Sequence, residues 1–548
     1  MRTAICSVLS LVVTISCFSA DYYLHPEKGD DNGPGTRETP FKSLAMIETL
    51  SLQAGDTIHL AGGLTFTGTL KLQTVSGTEK EPVTVKSYAA AADEGHASPA
   101  RIDASGEASG LFVSNCSNIQ IQDIEIAADG GGYPVAESPF DQMRCGVLVA
   151  FSQGGEYSNI TLRDLTVENV FYHEKGFQRG GEEVKTPNGT QSYGWGIRVI
   201  NPLAEATLSN ISIENCTVRN VAHTGIKFTG SQKNLRGVKV VDCRIYRTGG
   251  PGIQMSEVQD AHVHGNEVDR SGSDDDSRKW GRGSGLWTWS SQQVLIEKNS
   301  FRNARGPGDS AGCHIDFNCS DIVVQYNLSE NNAGGFCEIL GNNYNCSYRY
   351  NISINDGSRV KGKNGAFQEG KVFWLSGYTG KHSPRSGPFN SYFYNNTVYV
   401  PRGNVAKIAV DRAASGILVA NNIFCFEGKS AAVKGDQYNP EKDLDSSISN
   451  VVFQNNLYLN RSNWPSSVSI QDEAPLYGNP RFRDKRGFEA SDFIPQNTSL
   501  VQDKGIPIDP LPGDTIGLFL GLQVSRDILG NKIEGPPDLG AIEISLRK

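Results

Sequence analysis

Short segments of one form recur along the chain, and this repeat restricts the fold more than any other feature of the sequence. Each places Asp or Asn between two short runs of alternating apolar residues: IQDIEI at Asp123, LRDLTV at Asp164, IENCTV at Asn215 and VVDCRI at Asp242. The series continues at Asn266, Asn299, Asn327, Asn351, Asn396, Asn422 and Asn456. Its shortest spacing is 24 residues, from Asp242 to Asn266 and again from Asn327 to Asn351. A bare coil of a stacked β architecture needs about 22–28 residues. Longer intervals are the same coil with a loop added. One coil cannot bury its apolar face alone, so successive coils must stack in parallel.

A second register runs beside the first. Strands open at Gly196, Gly225, Gly252, Gly285, Gly312 and Gly335, as in GIRVI, GIKFT and GIQMS. Strict alternation points Val199, Phe228, Met255, Thr288, Ile315 and Cys337 inward. The Asn and Asp of the first series sit at turns, where they tolerate a left-handed backbone and can bond the next coil's Asn. Cys216 and Cys243 occupy one rung and read as stacked thiols rather than a disulfide. Helix signals are almost absent. Phe41, Leu44, Ile47 and Leu50 recur at helical spacing and predict a short helix within 40–54 that covers the first coil.

The opening DYYLHPEKGDDNGPGTRETPFKSLAMIETLSLQAGDTIHLAGG and the tail RDILGNKIEGPPDLGAIE resemble those of secreted β-helix carbohydrate-active enzymes of the pectate-lyase-like superfamily. Hydrolases acting on fucose-containing or other algal and plant glycans are the nearest in character. The resemblance implies an all-β, right-handed parallel β-helix with a short N-terminal cap helix. It also implies a lyase, glycoside hydrolase or epimerase. On this basis residues 21–548 form one domain: 21–105 lead-in and N-terminal cap, 106–460 main coils with groove loops, 461–548 last coils and C-terminal cap.

Residues 1–20 carry Arg2 and then an apolar run through Val8, Leu9, Leu11, Val12, Val13 and Ile15, closed by Ser19 and Ala20. This reads as a secretory leader, too short to span a bilayer permanently. Secretion or periplasmic export is expected, with lipidation at Cys17 ranked below it. No later segment reads as a membrane span. Two of the 11 cysteines lie in the leader, and the nine that remain read mostly as buried small hydrophobes. With 51 basic and 60 acidic residues the net charge is −9, which argues against a nucleic-acid partner. A monomer is expected.

The same register gives the outward residues: Arg198 and Ile200, Lys227 and Thr229, Gln254 and Ser256, Trp287 and Trp289, His314 and Asp316, Phe336 and Glu338. If GAFQE opens the next coil, Phe367 and Glu369 follow. One face is thus basic, then aromatic, then acidic. Ordinary solvated strand surface would look similar, but exposed tryptophans are costly to leave bare and suit sugar rings. Asp316 and Glu338 are expected to stack one coil apart, roughly 5 Å, where crowding raises one carboxyl's pKa. Such a pair fits a retaining hydrolase, and Asp316–Glu369, two coils apart, an inverting one.

The catalytic candidates are therefore Asp316, Glu338 and Glu369. His314, Trp287, Trp289, Gln254, Lys227 and Arg198 are candidate substrate contacts. Loops 269–284, 356–370 and 378–388 flank this face. They bring Lys279, Arg282, Arg359, Lys361, Lys363, Lys381 and Arg385, which would suit an anionic or sulfated glycan.

No cofactor is expected. Asp274–Asp275–Asp276 offers hard oxygen ligands of the kind calcium takes, but an exposed acidic turn is the preferred interpretation. The sequons at Asn327 and Asn351 coincide with the Asn series and read as structural. Three functions compete. A secreted glycoside hydrolase leads. A lyase acting by β-elimination on a uronate comes second, because Arg198, Lys227 and His314 are spread over five coils. A non-catalytic glycan-binding β-helix comes third.

Overall fold

In the computed structural model, residues 19–90, 98–129, 144–171, 194–272, 282–433, 448, 450–465 and 471–544 are described. The leader up to Phe18, the Asp274–Asp275–Asp276 run, Lys279 and most of loop 269–284 lie outside these residues. Three parallel sheets of 14, 12 and 14 strands wind as one solenoid, each strand pairing with its equivalents one coil before and one coil after. The expected all-β parallel architecture is borne out. Val199, Phe228, Met255, Thr288, Ile315 and Cys337 all lie in the continuous core, fully buried.

Glycines open the strands of the 12-stranded sheet because the inner packing leaves no room for a side chain. A β-carbon on Gly225 would lie 2.5 Å from Ile245 Cγ2 and 2.7 Å from the Gly252 carbonyl oxygen. The predicted cap helix is a 3₁₀ turn, Leu44–Thr49. It buries Leu44 and Ile47 and ties Glu48 to Lys71 on the first strand of that sheet. It is shorter than 40–54 because Leu50 is already extended.

The Asn series divides in two. Asp123, Asp164, Asn215 and Asp242 hold the left-handed turn position, and the residue after each points inward: Ile124, Leu165, Cys216 and Cys243. From Asn266 onward the left-handed position moves to the preceding residue, such as Tyr326 or Asn421, and the Asn itself turns inward. The side-chain amides of Asn266, Asn299, Asn327, Asn351, Asn396 and Asn422 each donate to the next rung at 2.9–3.1 Å. Asn456 donates to Asp472 at 2.7 Å, which ends the ladder. Each buried amide is satisfied within the stack, which is why Asn is tolerated there. The nine cysteines among the described residues are all free and buried, Cys216 beside Cys243.

The solenoid continues to Leu476–Tyr477. The chain then turns back along the outside instead of adding coils. Gly521 and Arg526 accept hydrogen bonds from Arg349 and Tyr326 at 2.7 and 2.9 Å, and Asp538 accepts one from Asn395 at 2.8 Å.

Candidate active site

The outward face of the 12-stranded sheet carries two rows. Register pairing aligns Arg198, Lys227, Gln254, Trp287 and His314 in the first. Ile315 pairs with Ile339, so the row continues from His314 to Glu338 and then to Trp374. In the second row Ser256 pairs with Trp289, followed by Asp316 and Leu340. The predicted basic-to-acidic band is therefore present as placed residues.

Two expectations about the carboxylates are corrected. Asp316 and Glu338 are not stacked. They lie on adjacent coils but two residues out of step, about 8 Å apart at their α-carbons from strand geometry. The register slips by two residues because Gly335, at φ 145°, pairs with Ala311 rather than Cys313, and Phe336 turns into the core against Tyr348 and Phe393. Glu369 is not on the next coil. That strand is Lys371–Leu375, and Trp374 holds the place beside Glu338. Glu369 lies in the preceding loop and accepts a hydrogen bond from Lys407 at 3.1 Å. Both the one-coil and two-coil spacing schemes drop out.

A cavity of about 180 Å³ opens on this face. Asp309, Asp316, Glu338 and His314 line it, with Trp287, Trp374, Tyr378 and Phe317 as aromatic walls and Arg282 and Gln368 beside them. Trp289 lies outside the lining and packs edge-on against Phe317, which packs against Tyr378. Gln254 is buried against Ser256, one coil before Trp287.

Three carboxyls share this cavity, and their environments differ. Burial pushes Asp316 up to about 8, although one oxygen accepts the Phe317 backbone N–H at 2.9 Å. Burial, with the Asp309 charge nearby, pushes Glu338 up to about 8. Burial would raise Asp309 too, but Arg282 at 3.4 Å, with Arg359 and Lys371 around it, holds it below the usual carboxylate value. Burial also lowers His314 to about 4, so its imidazole is neutral, with Nδ1 2.9 Å from the Ser284 hydroxyl. Lys371 is fully buried over the Trp374 ring, 3.6 Å from its centroid, and lowered to about 7.

Sequence reasoning missed Asp309. It sits in the turn GPGDSAG just before the strand bearing His314, and it and Ser310 both have left-handed backbones. An acid in a Gly-rich turn entering the acidic strand was the available signal. Arg359 fixes this turn. Its guanidinium donates to the Asp309 carbonyl at 2.8 Å and to Gln368 Oε1 at 3.1 Å, and Gln368 Oε1 accepts the Asp309 N–H at 2.7 Å. The indole N–H groups of Trp287 and Trp374 are buried without an acceptor.

Several basic residues expected on the loop walls are used internally. Arg282 faces Asp309, Arg359 holds the turn, and Arg385 pairs with Asp411. Lys361, Lys363 and Lys381 are exposed. Among the described residues no three His, Cys, Asp or Glu side chains are placed to hold one metal ion. No helix among them is long and apolar enough to cross a membrane.

The fold and its outer site define a right-handed parallel β-helix, and residues 205–398 match the family model described as a right handed beta helix region. The chain is similar to a lacto-N-biosidase of Bifidobacterium longum subsp. longum, 24% identical over 628 residues, covering 97% of this chain and 37% of the relative. The chain thus spans well under half the length of that relative. It also resembles the crystal structure of a GH136 lacto-N-biosidase from Eubacterium ramulus, at TM-score 0.54 and 20% identity over 75% of this chain and 68% of that one. That likeness is one of fold. A rhamnogalacturonan lyase, at TM-score 0.42 and 14% identity over 74% of this chain and 87% of that one, is too distant to add to it.

Proposed function

We propose that the protein is an exported glycoside hydrolase whose reaction centre is the cavity of Asp309, Asp316 and Glu338. The observation that carries this is the convergence of three buried carboxyls on one small cavity, Asp309 lowered by Arg282 beside it and Asp316 and Glu338 raised by burial. Environments that push neighbouring carboxyls apart assign an acid and a base. Asp316 is the general acid. Its second oxygen is free of the Phe317 contact and carries the proton to the glycosidic oxygen. Asp309 is the anion facing the oxocarbenium-like centre, as base or nucleophile. Glu338, also protonated, donates a hydrogen bond to the sugar, as do the indole N–H groups of Trp287 and Trp374. Neutral His314 stays oriented by Ser284.

The named relative is a lacto-N-biosidase, so lacto-N-biosides are the first substrates to try. Hydrolysis is favoured over elimination because the cations around the cavity are engaged, Arg282 by Asp309, Arg359 by the Asp309 carbonyl and Gln368, and Lys371 by the Trp374 face. The test is hydrolysis of lacto-N-biosides and of a wider glycan panel by wild type, D309N, D316N and E338Q. New reducing ends that disappear in D309N and D316N support the assignment. Full activity in D316N defeats it.

A further inference from the structure

The basic end of the first row holds a buried guanidinium with no ionic partner among the described residues. Arg198 and Lys227 are direct register partners, so their backbones are one strand spacing, ~4.8 Å, apart. Arg198 is only 7% exposed, and its guanidinium lies 3.9 Å from the Trp195 ring centroid, with the Lys227 ammonium 5.8 Å from the same ring. The surroundings are apolar: Cys145, Leu148, Ala150, Ile200 and Ala222 pack together there. Burial pushes the Cys145 thiol up to about 12, so it supplies no counter-charge.

The Arg198 Nε and Nη1 and the Trp195 Nε1 are buried with no acceptor. Two other buried guanidiniums, those of Arg349 and Arg359, are fully engaged. Arg349 donates to Gln325, Tyr394 and Gly521 at 2.7–2.9 Å, and Arg359 is bonded to Gln368, Gly306 and Asp309. A buried charge needs a partner, and two like charges one coil apart need one more strongly. Among the described residues no carboxylate pairs with Arg198 or Lys227. Lys227 keeps partial exposure, while burial and then the Arg198 charge lower its ammonium to about 7, so an anion bound beside it would also hold its proton. In register, the row continues from Lys227 through Gln254 to Trp287, which lines the cavity.

We propose that Arg198, Lys227 and the Trp195 indole N–H form a subsite for an anionic sugar, one bearing a carboxylate or a sulfate ester, three coils to the N-terminal side of the cavity. Three strand spacings, about 14 Å, separate Lys227 from His314, so the acidic unit lies beyond the sugar held in the cavity. The fork of Arg198 suits a planar or tetrahedral oxyanion, and Lys227 adds a point charge at the rim. Only the statement that this sugar is part of a substrate rests on the function proposed above; anion binding itself does not.

The test is calorimetric titration of the full chain with sodium sulfate, sodium glucuronate and, as a neutral control, glucose. Wild type and D316N should bind sulfate or glucuronate saturably and glucose not at all. R198Q and K227Q should each weaken that binding at least tenfold, and K227Q, altered at the rim, keeps the test valid if R198Q does not fold. Preference between the two anions identifies the group recognised. Absence of saturable anion binding to wild type, or unchanged binding in K227Q, overturns the proposal. Anion binding in a protein that hydrolyses no glycan would sink the cavity assignment and leave this one standing. Hydrolysis without anion binding would do the reverse.

Discussion

His314 stands directly beside Glu338 on the next coil, so Asp316, two residues further on, faces Leu340 and meets Glu338 only diagonally. That offset brings a neutral imidazole and two protonated carboxyls around one cavity and leaves Asp309 as its anion.

Replacing Asp316 removes the proposed proton donor without changing the solenoid. D316N should lower kcat/KM by about 10²–10⁴-fold, the usual contribution of a positioned acid. D309N should fall comparably. Circular dichroism of both variants should match wild type, and steady-state kinetics on a cleaved glycan is the measurement.

The pH–rate profile should have an alkaline limb near 8. Asp316 must carry its proton and Asp309 must not. Activity therefore holds while Asp309 is ionised and declines as pH rises through about 8 and Asp316 ionises. In E338Q an alkaline limb should remain, because Asp316 still titrates. Loss of that limb in E338Q would move the acid role to Glu338.

Stability should follow the same carboxyl. The folded pKa of Asp316, about 8, exceeds its unfolded value near 3.8. The native state therefore binds this proton more tightly than the unfolded chain. The resulting stabilisation is complete below the unfolded value and declines as pH rises to the folded one. D316N cannot ionise, so its melting temperature relative to wild type should increase between pH 4 and 8 and then level off.

Arg359 and Glu369 should separate cleanly. R359M loses the contacts that seat Asp309 and Gln368 and should reduce kcat tenfold or more, with the alkaline limb unmoved because Asp316 does not touch it. E369Q, whose carboxylate faces Lys407 outside the cavity, should change kcat less than threefold.

The buried Asn ladder should be costly to interrupt. Asn327 donates to the Ile296 and Gln325 carbonyls and to Asn351, and accepts from the side-chain and backbone N–H of Asn299. N327A strands several of these groups, each worth about 1–3 kcal/mol when buried and unsatisfied. Urea unfolding should show a loss of at least about 3 kcal/mol.

The coil repeat, the inward parity and the outward row from Arg198 to His314 were legible because strand alternation is a local, period-two signal. It failed where that period breaks. Gly335 resets the register at the start of GFCE, which displaced Glu338 by two residues. GAFQE imitates a coil opening, but its residues form the loop that buries Arg359. Asp309 was invisible to strand logic because it belongs to a turn. Its significance comes from Arg282 and Arg359, which are brought to it from other coils. Trp374 was hidden in the apolar run KVFWL, which shows no alternation. The division of the Asn series into outer and inner positions depended on a one-residue shift that the spacing alone did not register.

The most direct measurement is a product assay of wild type against D309N and D316N on lacto-N-biosides and on neutral, uronate-containing and sulfated glycans. Each reaction is read for new reducing ends and for the ultraviolet absorbance of an unsaturated uronate. The account predicts reducing ends without absorbance from wild type and neither signal from the two variants. Absorbance rising together with reducing ends, or undiminished cleavage by D316N, would contradict it.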